Sequence, residues 1–222
     1  MRRFLSVFAL ALICCIASFA QSKKVSILGD SYSTFKGYIP SFYDVFYPTD
    51  GCDVKDVEQT WWMKNIKSNG YELEKNDSWS GSTICNTGYN KDDYSDRAFF
   101  TRVNKLGNPD IIFIFGGTND AWANSPIGEY KYADWSKTDL YSFRPATAYM
   151  LSQLKMLYPK ADVYFLLNSE LKEEINESVK TICAKYNVPV IALHDINKQI
   201  GHPSIVGMQA ISDQINEFIN KK

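Results

Sequence analysis

Three polar side chains of the kinds used in acyl transfer lie at or beyond the ends of apolar runs in the sequence. Ser31 follows residues 25–28, Asn119 follows residues 111–115, and His202 is one of two histidines in the chain. Apolar runs of this length predict buried strands of a parallel sheet, and ligands bind at the carboxyl ends of such strands. We therefore expect the three side chains to converge. A hydroxyl, an amide and an imidazole could then serve as nucleophile, oxyanion donor and general base.

The hydrophobic pattern predicts an α/β fold. Strands are predicted at residues 25–28, 111–115, 163–167 and 188–193, with a more polar edge strand at 71–74. Helical periodicity is present at residues 58–69, 144–158, 171–186 and 203–220. Strands that alternate with helices imply right-handed β-α-β units. We expect a three-layer α/β/α sandwich around a mostly parallel, doubly wound, flavodoxin-like sheet of five strands.

The first twenty residues predict a signal peptide. Two arginines precede an apolar stretch, residues 4–16, that is short for a membrane span, and the small residues Ser18 and Ala20 follow it. We expect cleavage after Ala20, a secreted or periplasmic product, and no stable membrane insertion afterwards; a retained anchor is the alternative. Residues 21–222 are then expected to form a single domain. The formal net charge of −1 gives no basic surface for nucleic acid.

Three cysteines remain after such a cleavage: Cys52, Cys85 and Cys183. An odd number argues against a disulfide scaffold, although a Cys52–Cys85 bridge is possible in an oxidising compartment. Cys183 lies in an apolar pattern that predicts a core thiol. Neither the cysteines nor the histidines have the spacing of metal ligands, so we expect no metal and no cofactor.

Four segments of the chain resemble the sequence blocks of the SGNH (GDSL-type) hydrolases. They are GDSYS from Gly29, SWSGSTI from Ser78, GGTND from Gly116 and GHPSIVGMQAI from Gly201. The blocks occur in the family's order and span nearly the whole chain after residue 20, so the resemblance is more specific than one short motif. It implies an α/β/α fold and the hydrolysis of ester bonds by a serine.

The resemblance also implies a role for one residue in each block. Ser31 would be the nucleophile, and its own N–H would donate to the oxyanion. Gly81 would supply a second backbone N–H, and Asn119 would supply a side-chain amide. His202 would take the proton of Ser31 and return it to the leaving group.

Two acids in these blocks are expected to be structural. Asp30 follows a strand directly, where a carboxylate commonly caps the next turn. Asp120 is expected to accept hydrogen bonds that brace a loop.

The chain departs from the family where an acid usually orients the histidine. Three residues before His202 the family has Asp, whereas this chain has Gln199, whose amide can accept a hydrogen bond but supplies no charge. Gln199 could orient the ring through its side-chain oxygen or its backbone carbonyl, which would give a Ser–His dyad. Asp195 could instead reach the ring, or the protein could be a weak or inactive enzyme. We favour the dyad.

Aromatic residues are concentrated in two irregular segments, residues 36–60 and 121–143, and beside them. Flat rings suit stacking on sugars, and we expect Trp61, Trp62 and Trp122 to bind substrate. The first hypothesis is an exported serine esterase that removes an acyl group, acetyl by preference, from a small molecule or an oligosaccharide. The alternatives are a short-chain lipase or thioesterase, and a non-catalytic glycan-binding module on the same fold.

Overall fold

A five-stranded sheet forms the centre of the computed structural model, which describes residues 22–221; the predicted signal peptide lies outside the described residues. The strands are β1 Lys24–Gly29, β2 Glu72–Ser78, β3 Ile111–Phe115, β4 Asp162–Leu167 and β5 Val190–Ala192. Their order is β2-β1-β3-β4-β5, and every neighbouring pair is parallel. All five residues of β3 are buried, as expected for a strand covered on both faces. The predicted doubly wound sheet is confirmed.

Helices cover both faces of this sheet. They are α1 Trp61–Asn69, α2 Phe99–Arg102, α3 Thr118–Ala123, α4 Phe143–Leu157, α5 Glu173–Lys185 and α6 Ile205–Asn220. α1 packs with α6 over one hydrophobic core, and α4 packs with α5 over the other. The predicted three-layer α/β/α sandwich is therefore confirmed.

A short antiparallel hairpin precedes the last helix. Its strands are β6 Lys198–Gln199 and β7 His202–Pro203. α6 begins after Ser204, whose hydroxyl accepts the N–H of Gly207 and caps the helix. The predicted start of this helix at residue 203 is therefore wrong, because that residue belongs to the hairpin.

The edge strand β2 extends beyond the predicted residues 71–74 and ends in three buried polar residues. Asn76 donates to the carbonyl of Ser33 at 2.9 Å, and the Ser78 hydroxyl donates to the Asn76 side-chain oxygen at 2.6 Å. Hydrogen bonds allow these polar groups to be buried at the edge of the core. A hydrophobic pattern could not reveal them.

Trp61 and Trp62 lie in the core with 0% and 1% of their surface exposed. The Trp61 indole donates to the Ser33 hydroxyl at 3.2 Å, and the Trp62 indole donates to the Ser33 carbonyl at 3.0 Å. The prediction that these two tryptophans bind substrate is wrong. Both rings fill the layer between α1 and the sheet, where no substrate can reach them.

The three cysteines of the described chain are free and buried. Cys52 belongs to the core under α1 and α6, whereas Cys85 belongs to the core on the other face of the sheet. The possible Cys52–Cys85 bridge is therefore not formed. Between residues 22 and 221, no helix is both long and apolar enough to cross a membrane. The same residues contain no group of acids, histidines and cysteines that could hold a metal ion.

The carboxyl ends of β1 and β2 are joined by Arg102, at the end of α2. Its guanidinium donates to the Gly29 carbonyl at 3.2 Å, to the Ser82 hydroxyl at 3.1 Å, and to the backbone and carboxylate oxygens of Asp77, with 2.9 Å to Oδ1. The Arg102 and Asp77 side chains are 0% and 1% exposed. One buried cation thus fixes the strand end that leads to Ser31 against the segment after β2.

Arg102→Met is expected to lower the free energy of unfolding by about 3–5 kcal/mol, because it leaves the Asp77 carboxylate buried without its counter-charge. Urea unfolding monitored by tryptophan fluorescence measures the change. The double variant Arg102→Met with Asp77→Asn should recover part of the loss. Lys180→Met, which breaks an exposed ion pair with Glu177, is the control and should leave the midpoint unchanged. Equal midpoints for the Arg102 and Lys180 variants would contradict this role.

Candidate active site

Ser31 and His202 are hydrogen-bonded to each other. The Nε2 atom of His202 lies 2.9 Å from Ser31 Oγ, although 171 positions separate the two residues in the chain. The Nδ1 atom lies 3.1 Å from the carbonyl oxygen of Ile200. Since a carbonyl can only accept, Nδ1 carries the hydrogen and Nε2 is the unprotonated nitrogen. In this tautomer His202 accepts the hydroxyl hydrogen of Ser31, as a general base must.

A tight turn at the end of β1 presents Ser31. Asp30 braces this turn, because its carboxylate accepts the N–H of Tyr32 and its carbonyl accepts the N–H of Ser33, both at 3.0 Å. The predicted turn-capping role of Asp30 is confirmed. Gly29 permits the close packing, since a Cβ at that position would lie 2.8 Å from the Cβ of Ser33.

Two buried tyrosines hold the β6–β7 hairpin that carries His202. The Tyr32 hydroxyl donates to the carbonyl of Gly201 at 2.7 Å, and the Tyr47 hydroxyl donates to the carbonyl of Pro203 at 2.8 Å. Burial raises the pKa of both phenols, which keeps them protonated as donors. The carbonyls on both sides of His202 are therefore fixed.

Neither of the two proposed side-chain partners orients the imidazole. Gln199 Oε1 accepts the N–H of Asp53 at 2.7 Å, and Asp195 Oδ2 lies 2.9 Å from Nδ1 of His194, at the surface. The prediction that Gln199 or Asp195 orients the ring is wrong. The hairpin turn has left-handed backbone at Ile200 and at the glycine after it, with φ of 45° and 78°. This turn brings the Ile200 carbonyl to Nδ1, and the result is a dyad without an acid.

Aromatic rings surround the imidazole. The Phe46 ring stacks on that of His202, with centroids 3.5 Å apart and planes at 9°. The rings of Tyr32 and Trp122 approach at centroid distances of 5.1 and 6.0 Å. Phe46 belongs to the aromatic segment 36–60 that the sequence predicts for stacking on sugars. Its contact with His202 was not predicted, because the segment has no periodicity that would place its side chains.

The electrostatics of the site favour a neutral histidine. Burial lowers the pKa of His202, the Lys198 ammonium lowers it further, and the hydrogen bond to Ile200 opposes both. Burial also raises the pKa of Asp30 to about 7, with the Tyr32 amide opposing. A neutral imidazole is the form that can accept a proton.

The segment after β2 supplies the second predicted oxyanion donor. Gly81 has φ of 78°, a conformation that favours glycine, and an added Cβ would meet no atom within 4 Å. The glycine is thus required by the backbone rather than by crowding. Within residues 22–221, neither the Ser31 amide nor the Gly81 amide has a hydrogen-bond acceptor in the protein. Both N–H groups are free to bind an oxyanion.

Asp120 holds this same segment in place. Its carboxylate accepts the amides of Ile84 at 2.8 Å and Cys85 at 3.2 Å. Burial raises the pKa of Asp120 to about 6, and these amides oppose the rise. The predicted loop-bracing role of Asp120 is confirmed.

The side-chain amide of Asn119 is oriented by Tyr89. The Tyr89 hydroxyl donates to Asn119 Oδ1 at 2.7 Å, and Asn119 Nδ2 donates to the carbonyl of Ser82 at 3.0 Å. The amide oxygen and one N–H are thereby used, and the second N–H can donate to a substrate. The role of Tyr89, which lies in a short turn, was not predicted from the sequence. The only indication was that the side-chain amide of Asn119, if buried, needs hydrogen-bond partners.

A cavity of about 400 Å³ is lined by residues 89–91 and 122–124, among them Trp122. The Trp122 side chain is 46% exposed, and its ring lies against those of Tyr32 and His202. Of the three tryptophans predicted to bind substrate, Trp122 therefore lies at the site. A hydroxyl hydrogen-bonded to a neutral imidazole is the pair that nucleophilic acyl transfer requires, and the Ser31 and Gly81 amides are N–H donors without acceptors in the described protein.

Distant structural similarity extends to a carbohydrate esterase. A family 2 carbohydrate esterase with a carbohydrate binding domain, from Corynascus thermopiles (Myceliophthora fergusii), has a TM-score of 0.62 at 16% identity. The match covers 91% of this chain and 67% of that chain. At this identity the likeness shows the fold alone. Among curated proteins, none matches the chain significantly.

Closer similarity is to bacterial lipase-like proteins. A crystal structure described as a GDSL-like lipase, from Bacteroides ovatus, is 59% identical with a TM-score of 0.90; it covers 91% of this chain and 100% of that chain. A second, from Bacteroides uniformis, is 54% identical with a TM-score of 0.89, covering 90% and 97%. The family model GDSL-like Lipase/Acylhydrolase matches residues 23–219. The chain therefore belongs to the family of GDSL-like lipases and acylhydrolases, which are hydrolases that act on esters.

Proposed function

We propose that the protein is an exported serine esterase that hydrolyses an O-acyl ester on a carbohydrate, acetyl by preference, through an acyl-enzyme at Ser31. The observation that carries the proposal is the 2.9 Å hydrogen bond between Ser31 Oγ and the unprotonated Nε2 of His202. Export rests on the apolar stretch at residues 4–16, and a mature protein that begins at Gln21 would support it.

The proposed reaction has two halves. Ser31 Oγ attacks the ester carbonyl carbon while its proton moves to His202 Nε2, and the carbonyl oxygen becomes an oxyanion. The intermediate collapses as the C–O bond to the alcohol breaks, and the imidazolium returns its proton to the departing oxygen. Water then gives a proton to Nε2 as its oxygen attacks the acyl carbon of the acyl-enzyme. The bond between this carbon and Ser31 Oγ breaks, the imidazolium returns the proton to Oγ, and the acid is released.

The oxyanion is proposed to bind the N–H groups of Ser31, Gly81 and Asn119. Such donors are effective because they are fixed before charge develops, and loss of one typically costs about 100- to 1,000-fold in rate. The hydrogen bonds that fix Asn119 and the positive φ of Gly81 support this preorganisation.

The cavity beside Trp122 supports a carbohydrate leaving group. An exposed indole face beside a polar rim is a common way to hold a sugar ring, and Asn90, Lys91 and Asn124 supply polar groups there.

A short-chain lipase or thioesterase is the second candidate, favoured by a different surface. A cavity of about 430 Å³ is lined mainly by Ile39, Pro40, Tyr43 and Val45, beside the exposed ring of Phe42. Apolar walls of this kind suit an acyl chain.

Ser31→Ala is expected to abolish labelling by a fluorophosphonate probe and to lower kcat/KM by at least about 1,000-fold, because the nucleophile is lost. Mass spectrometry of the labelled wild type should place the adduct on Ser31. Asp195→Asn, at the surface, is the control and should retain labelling and activity. An unlabelled wild type would favour the non-catalytic binding module, and loss of activity in the Asp195 variant would defeat the dyad.

The pH profile of kcat/KM is expected to show an acid limb with a midpoint below pH 6.5. The base must be neutral, and burial lowers the pKa of His202 from its usual 6.5, so activity is lost only when the pH falls through this lower pKa. Asp30→Asn removes the titration of that buried carboxyl, whose raised pKa lies near the same pH range. If His202 is the titrating group, the midpoint of the acid limb should not move in this variant. A midpoint above pH 7 in the wild type would contradict the assignment.

Trp122→Ala is expected to raise KM about tenfold for acetylated xylo-oligosaccharides and to change KM for p-nitrophenyl acetate much less, because the small ester does not need the indole face. Trp135→Phe, away from the dyad, serves as the matched control. p-Nitrophenyl esters of rising chain length complete the comparison. A preference for long chains, with no activity on acetylated sugars, would favour the lipase instead.

A further inference from the structure

The imidazole of His202 lacks the carboxylate that a Ser–His–acid triad would place beside it. Within residues 22–221, its two nitrogens contact Ser31 and the Ile200 carbonyl, and no carboxylate contacts the ring. The charged group that affects it is the Lys198 ammonium, which opposes a positive charge on the ring. General-base catalysis nevertheless requires His202 to become an imidazolium in the transition state.

One face of this ring is covered by Phe46. The two rings are nearly parallel, at 9°, with centroids 3.5 Å apart. The face of a benzene ring carries partial negative charge and attracts a cation within about 6 Å of its centroid. This attraction is stronger where water is excluded, and His202 is partly buried.

We infer that Phe46 is a positioning residue that stabilises the imidazolium of His202 and takes over part of the task of the missing acid. The inference rests on the proposed function. Because the neutral imidazole carries no net charge, the electrostatic part of the attraction appears only when the proton arrives. It therefore stabilises the transition state more than the ground state, which raises kcat.

Phe46 is itself held by the turn that carries the nucleophile. Its N–H donates to Thr34 Oγ1 at 2.9 Å, and the Thr34 hydroxyl donates to the carbonyl of Ser31 at 3.1 Å. The Tyr47 ring packs edge-on against Phe46, with centroids 4.8 Å apart. The stacking ring and the serine are thus attached to one rigid unit, and the ring needs no rearrangement when the proton moves.

Phe46 could affect His202 in two ways: its face could stabilise the imidazolium, or its bulk could only keep water away from the ring. Tyr32 and Tyr47 lie near the imidazole as neutral phenols, and Lys198 lies on the same hairpin as His202. The Asp53 carboxylate accepts the N–H of Ile205 at the start of α6. If Phe46 only excluded water, a smaller side chain would admit water and raise the pKa of His202. If its face stabilises the imidazolium, removal of the face lowers that pKa.

The test is an NMR titration of His202 in Phe46→Leu, with steady-state kinetics on p-nitrophenyl acetate. The chain has two histidines, so the His194→Gln background leaves one imidazole signal to follow. We expect the His202 pKa of Phe46→Leu to fall by about 0.5 to 1 pH unit. At a pH above this pKa, kcat should fall by up to about 3- to 10-fold with KM nearly unchanged. Phe46→Tyr, which keeps the aromatic face, should behave like the wild type.

Phe100→Leu is the matched control, because Phe100 is also a partly buried ring packed against another ring, on the other face of the sheet. It should change neither the His202 pKa nor kcat. A higher or unchanged His202 pKa in a folded Phe46→Leu variant would overturn the inference. The titration needs no catalysis, so a wild type that hydrolyses no ester would refute the proposed function while the pKa difference still tests Phe46.

Discussion

The hydrogen bond between Ser31 and His202 joins two structural units, and other contacts in the fold hold these units next to each other. Ser31 stands on a turn at the end of β1, and His202 stands on a hairpin that precedes the last helix. The two meet because Tyr32 and Tyr47 bind the carbonyls on both sides of His202. Tyr32 directly follows Ser31, so the segment that presents the serine hydroxyl also positions the imidazole that contacts it.

The imidazole of His202 is oriented by a dipole and not by a charge. The Ile200 carbonyl fixes the tautomer of His202 without adding a charged group to the site. The buried charges of the region lie instead in the scaffold, where Arg102 and Asp77 join two strand ends. An aromatic enclosure around a neutral imidazole is consistent with this division, since burial lowers the pKa of the base.

The sequence allows the sheet, the helices and the residues of the dyad to be predicted, for a physical reason. Strands buried on both faces are mostly apolar, so residues 111–115 could be predicted as a strand from their own side chains alone. Single side chains were harder to place. Trp61 and Trp62 resemble binding residues by type, but their indole N–H groups find acceptors in the core. The orienting group of His202 is a backbone carbonyl, which every residue possesses and no sequence pattern marks. Tyr89 and Phe46 act through contacts with residues distant in the chain.

A crystal structure of the protein inactivated by a small alkyl fluorophosphonate tests the central claim most directly, because the adduct mimics the tetrahedral intermediate. The account predicts a phosphorus–oxygen bond to Ser31 Oγ, with one phosphoryl oxygen about 2.7–3.1 Å from the amides of Ser31 and Gly81 and from Asn119 Nδ2. His202 should remain bonded to the Ile200 carbonyl. An adduct on another residue, or a phosphoryl oxygen that points to solvent away from all three donors, would contradict it.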